Sequence, residues 1–136
     1  MLDYIQKEQY KLNRAHQILC IRLGALKDNV KMLNLRIEEL PILIARCEQR
    51  LEIECDVIRT QREKLKECRE NILLDCSLTF VIEAIASDIK KRQSILSEIK
   101  HNKLNYTAEL NKKSELRKYY MSDIEALKYL LYLCGV

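Results

Sequence analysis

The sequence predicts an all-α, elongated coiled coil, and three observations carry that prediction. The first is a shortage of turn formers. The 136 residues include two Gly (Gly24, Gly135) and one Pro (Pro41), where average usage would supply about 16. Tight turns need the backbone freedom of Gly or the preset φ of Pro, so almost every β-rich or loop-rich architecture is excluded. The second is composition: Ala, Glu, Lys, Leu and Arg make up 67 of the 136 residues, the balance of a long helix. The third is an apolar repeat in alternating steps of three and four.

That repeat defines the first element, a heptad helix over about 1–72. One column reads Leu2, Gln9, His16, Leu23, Val30, Ile37, Ile44, Leu51, Ile58, Leu65, Ile72. Its companion reads Ile5, Leu12, Leu19, Leu26, Leu33, Leu40, Cys47, Glu54, Gln61, Cys68. Seventeen of these 21 positions are apolar, and a strict seven-residue repeat keeps one side of a helix turned toward a partner. Pro41 leaves the phase unchanged on both sides. We read it as a kink in a continuing helix; the competing reading ends one helix at Leu40 and opens another at Pro41.

The charges beside the seam bear on the partner. In an in-register parallel homodimer Arg22 would face Lys27 and Lys64 would face Arg69, both repulsive. Leu43 and Val57 widen the apolar stripe beyond two columns. The expected partner is therefore another helical chain, heterotypic or antiparallel, or a bundle. Gln9, His16, Glu54 and Gln61 interrupt the seam; such residues either fix register or mark a loose, wet stretch.

The second element, about 78–120, follows a stripe that has shifted. The stretch Ile72–Ala86 is apolar nearly all round. The spacing then resumes through Leu78, Ile82, Ile85, Ile89, Arg92, Leu96, Ile99, Lys103, Tyr106, Leu110, Lys113, Arg117, Tyr120, Ile124, Leu127, Leu131 and Cys134. Either the helix continues with a rotating stripe, or an elbow near Leu73–Thr79 folds it back, with Ser77 or Thr79 as cap. Since 73–79 lacks the Gly or Asn usual in helix-to-helix turns, continuity or a simple kink is the expectation. A short terminal helix is expected within 122–136. Ser122 and Glu125 have capping-box spacing, and Gly135 suits a C-terminal cap. The segments are thus 1–72, 73–121 and 122–136.

Catalytic chemistry finds no support. Two isolated glycines cannot form a phosphate-binding loop, and nucleophile-elbow, HExxH and EF-hand patterns are missing. The six cysteines form no CxxC pair and stand at no ligand spacing to a His, so neither metal nor cofactor is expected. They read as reduced thiols of a cytoplasmic protein, consistent with an N-terminus unlike a signal peptide. A net charge of +4 is too mild to demand nucleic acid, and no apolar run reaches membrane-spanning length.

The resulting expectation is a non-enzymatic structural or scaffold subunit packing with other helical chains in a larger, cytoskeletal or axonemal, assembly. Its partner interface would be the seam of Leu12, Leu19, Leu23, Leu26, Val30, Leu33, Ile37, Leu40, Ile44, Leu51, Ile58 and Leu65. The second element would add Ile82, Ile85, Ile89, Leu96 and Ile99. An alternative is a regulatory module recruiting an acidic or helical partner through 100–134. There Lys100, Lys103, Lys112, Lys113, Arg117 and Lys118 would meet an acidic surface such as a microtubule. A third is a membrane-tethering helical bundle without its own anchor.

Overall fold

The computed structural model describes residues 2–72 and 77–134, Leu2 by its backbone alone. Two long helices pack against each other, and the described residues contain no strand. Helix α1 spans Leu2–Asn71 and α2 spans Leu78–Leu133. Leu, Glu, Lys and Arg favour this backbone because their straight side chains lose little rotamer freedom on a helix. Ion pairs one turn apart add to it: Lys11–Glu8 at 3.4 Å, Arg36–Glu39 at 3.1 Å, Arg59–Asp56 at 3.2 Å and Lys128–Glu125 at 3.5 Å. Such pairs contribute about 0.2–0.5 kcal/mol each.

The contacts divide the chain into two compact units. One comprises Met1–Glu39 with Leu110–Val136, the other Leu40–Glu109. In the second unit the helices are antiparallel. As α1 climbs from Glu48 through Glu54 to Gln61, its polar partners descend along α2 from Lys103 through Arg92 to Asp88. Its core is Leu40, Cys47, Ile58, Ile89 and Ile99, with Leu40 wholly enclosed. The first unit is antiparallel as well: Arg22 and Ala25 share a depression with Asp123 and Ala126, while Met32 and Arg36 share another with Lys113 and Leu116. Val30, Leu33 and Ile124 are its buried residues. Fully burying a side chain of this size stabilises by about 1.5–3 kcal/mol.

Two expectations change, and the choice between two readings at Pro41 is decided. The two helices are not one continuous rod: α1 ends at Asn71, α2 begins at Leu78, and they run antiparallel in the second unit. Ser77 occupies the position just before α2, where a hydroxyl is a preferred cap. Of the proposed elbow, residues 73–76 lie outside the described residues, as do Cys76 and the capping role of Gly135.

The second change concerns the C-terminus. No separate helix begins near Ser122, since α2 runs unbroken from Leu78 to Leu133. Asn102, Asn105 and Asn111 weaken a helix by at most about 0.7 kcal/mol each relative to Ala. Burial of Ile99 and Ile124 on either side outweighs that.

At Pro41 the expected continuation of the helix is observed. Helix α1 continues through it, so the reading in which Leu40 ends a helix does not hold. The ring is exposed while Leu40 beside it is buried, which leaves the unpartnered Ile37 carbonyl on a side that water can reach.

Candidate partner interface

The two heptad columns of α1 coincide with its covered side. From His16 to Ile72 every column position is buried or half-buried. This covers Leu19, Leu23, Leu26, Val30, Leu33 and Ile37 in the first unit, and Leu40, Ile44, Leu51, Ile58 and Leu65 in the second. Leu12 is different: it is 50% exposed, and Ile5 is 58% exposed. On α2 all the positions from Leu78 to Cys134 that continue the spacing are buried or half-buried, Ile82, Ile85, Ile89, Leu96 and Ile99 among them. The helix that covers each stripe is the other helix of the same chain. Residues expected to meet a second protein therefore meet α1 or α2 first.

Two polar seam positions, Glu54 and Gln61, are partnered across the helices rather than loose. Arg92 on α2 donates from Nη1 to Glu54 Oε2 at 3.2 Å and from Nε to Asp88 Oδ2 at 3.0 Å. Gln61 on α1 donates from Nε2 to the same Asp88 oxygen at 2.8 Å. Four side chains thus form a closed group across the second unit. The Arg92 guanidinium, with help from the Gln61 amide, holds the Asp88 carboxyl below its ordinary pKa. In return, hydrogen bonds to Asp88 and Glu54 raise that of Arg92. No buried side-chain nitrogen or oxygen among the described residues lacks a partner.

His16 is half-buried and lies 3.6 Å, through Nε2, from Cys20 Sγ one turn on. No group of three or more His, Cys, Asp or Glu that could hold a metal ion occurs among the described residues. The described cysteines are free thiols, with Cys47 buried and Cys20 and Cys55 exposed.

Of the six basic residues expected to meet an acidic surface, two have partners on α1. Lys103 pairs with Glu48 at 3.3 Å, and Arg117 donates from Nη1 to Asn34 Oδ1 at 3.2 Å. Lys113 is half-buried against α1, lining the depression with Met32 and Arg36. Lys100, Lys112 and Lys118 are exposed.

What the sequence reading missed is a second apolar line, outside the seam. On α1 of the first unit Ile18, Ala25 and Met32 recur every seven residues, all exposed. On α2 of the same unit Leu116, Tyr119, Ala126, Leu130 and Leu133 are exposed, at successive steps of three, seven, four and three. Depressions of about 480 and 410 Å³ bring the two lines together. Ala25 lies near Ala126 in the first, and Met32 near Leu116 in the second. The signal was present as a weaker 3–4 spacing in the positions the main columns leave over.

Comparison of the chain with known protein families, with curated proteins and with solved structures gives no match. Among the described residues no helix is long and apolar enough to cross a membrane.

Proposed function

We propose that this chain is a non-enzymatic scaffold subunit, an antiparallel coiled-coil pair that packs with helices of other chains in a larger assembly. The observation that carries this is the outer apolar line of the first unit. Pairing α1 with α2 already buries the heptad seam there, yet Ile18, Met32, Leu116, Tyr119 and Leu130 remain exposed. Exposed apolar residues repeated along one unit in this way point to an interaction surface, because leaving them in water costs free energy that burial would recover. Small Ala25 and Ala126 beside the larger residues allow another helix to approach closely.

A cytoskeletal or axonemal setting agrees with this reading by association, as the home of many such helices. The cytoplasmic expectation rests on the free thiols. The test is cross-linking mass spectrometry in cells that express the full chain. Wild type should give cross-links from the Met32–Leu116 face to helical segments of one or a few partners. A Met32→Lys, Leu116→Lys variant, folded by circular dichroism, should lose them. Cross-links that persist in the variant, or none in wild type, would refute the reading.

A second reading has its own observation. Tyr129, Leu130, Tyr132 and Leu133 are all exposed in the last turns of α2, a cluster able to recruit a partner reversibly. Binding through the exposed lysines nearby would weaken sharply with salt, whereas apolar packing along the Met32–Leu116 face would not.

A further inference from the structure

The second unit carries a basic depression that borders the seam at Leu65 and Ile89 and is not part of the outer apolar line of the first unit. Arg62, Lys66 and Arg69 follow one another at steps of four and three on α1, so they share one face. Together with Leu65, Glu70 and Ile89 they line a hollow of about 510 Å³. All three cations are exposed. None makes a hydrogen bond or ion pair among the described residues, in contrast to Arg59, which holds Asp56, and Arg92, which holds Asp88 and Glu54. Glu70 is the one carboxylate among the lining residues, which leaves the hollow with an excess of positive charge over an apolar floor.

We propose that this hollow receives an acidic amphipathic helix from another protein. Three features of the hollow select that occupant. The cations repeat at helical spacing over about 10 Å, so carboxylates one and two turns apart on a facing helix would meet them in order. Half-buried Leu65 offers apolar contact between the charges, which a free inorganic anion would not use. The lining holds no aromatic ring on which a base could stack, and its three cations fall short of the row of phosphate contacts that nucleic-acid binding employs. The inference concerns a different surface from the Met32–Leu116 face and stands or falls independently of the scaffold reading.

The test uses the full chain and a fluorescein-labelled helical peptide of about 21 residues, with a Leu stripe flanked by Glu. A Lys-for-Glu counterpart serves as control, and binding is read by fluorescence anisotropy. The Glu peptide should bind and the Lys peptide should not. Raising NaCl to about 300 mM should weaken binding severalfold, because exposed charge pairs are screened. Arg62→Gln, Lys66→Gln, Arg69→Gln together should weaken it about tenfold. Lys66→Gln alone, a single exposed change that leaves the fold intact, should weaken it by a smaller factor. Lys112→Gln with Lys118→Gln should leave it unchanged.

Phosphatidylserine vesicles and a single-stranded oligonucleotide should fail to displace the peptide. Equal binding by the triple variant, loss of binding in the Lys112, Lys118 control, or displacement by vesicles or oligonucleotide would overturn the proposal.

Discussion

Arg92 on α2 reaches Glu54 on α1 across 3.2 Å while its Nε holds Asp88 one turn back on its own helix at 3.0 Å. A single guanidinium therefore ties the two helices of the second unit at one register. Sliding α2 by one turn would strand Arg92, Glu54 and Gln61 together, and the seam would then hold unpaired polar groups. The pairing of Leu40, Ile58, Ile89 and Ile99 alone tolerates neighbouring registers far better, since one aliphatic contact resembles the next.

That network predicts a measurable coupling. Glu54→Ala and Arg92→Ala should each lower the melting temperature, and the double variant should lose less than the sum. The exposed pair Lys11–Glu8, treated the same way, should show almost no coupling. Additive losses at Glu54 and Arg92 would mean that the pair does not act as a unit.

Asp88 gives the network a pH dependence with a definite sign. Its carboxyl titrates below the ordinary carboxylate value in the folded chain, chiefly through the Arg92 hydrogen bond. Its contribution is therefore complete above the unfolded value of about 4 and is lost as pH falls below that toward the folded value. Thermal melts from pH 6 to about pH 3 should show wild type losing more stability than Asp88→Asn. Parallel curves would rule out a role for this carboxyl.

Core and surface positions should separate clearly. Leu40→Ala and Ile99→Ala remove the two most enclosed side chains and should each cost about 2–5 kcal/mol in chemical denaturation. Leu104→Ala, at a residue 68% exposed, should stay within about 0.5 kcal/mol. Equal costs at the three sites would contradict the assigned seam.

Gly24 offers a change in the opposite direction. It lies inside α1, and a Cβ built there meets nothing within 4 Å. Gly24→Ala should stabilise the chain by about 0.5–1 kcal/mol, because Gly loses more backbone freedom on entering a helix. No gain in the melt would mean that α1 is not helical at that point.

The burial of these side chains was legible in the sequence to an unusual depth, and its limits are physical. A heptad column records which side of a helix is covered, and from His16 to Ile72 it does so without an error. It does not record whose helix does the covering, because the packing rules are the same within a chain and between chains. Hence Leu26 or Ile58 could be placed in an interface, but not assigned to α2 as partner. The antiparallel pairing was harder still. The sequence over 72–79 carries no Gly or Pro, and the only trace was the shift of the companion column after Ile72.

The cross-helix partners show a different limit. Asp88, Glu48 and Asn34 sit beside the columns, not in them, and read as ordinary solvated residues until the register is known. Lys103 and Arg117, by contrast, lay on the stripe and were assigned to an external acidic surface. Their contacts with Glu48 and Asn34 show that a cation on a seam can be used at home.

The central claim is that α1 pairs with α2 of the same chain. It is tested most directly by an electron–electron distance between bio-orthogonal spin labels at Arg46 and Asn105, exposed positions of the second unit, with unlabelled chain added in excess. Antiparallel pairing within one chain predicts about 15–30 Å, from helix axes 8–10 Å apart plus the label arms, unaffected by dilution. A separation near 90 Å, which ~1.5 Å per residue gives a continuous helix, or a short distance that vanishes on dilution, would contradict it.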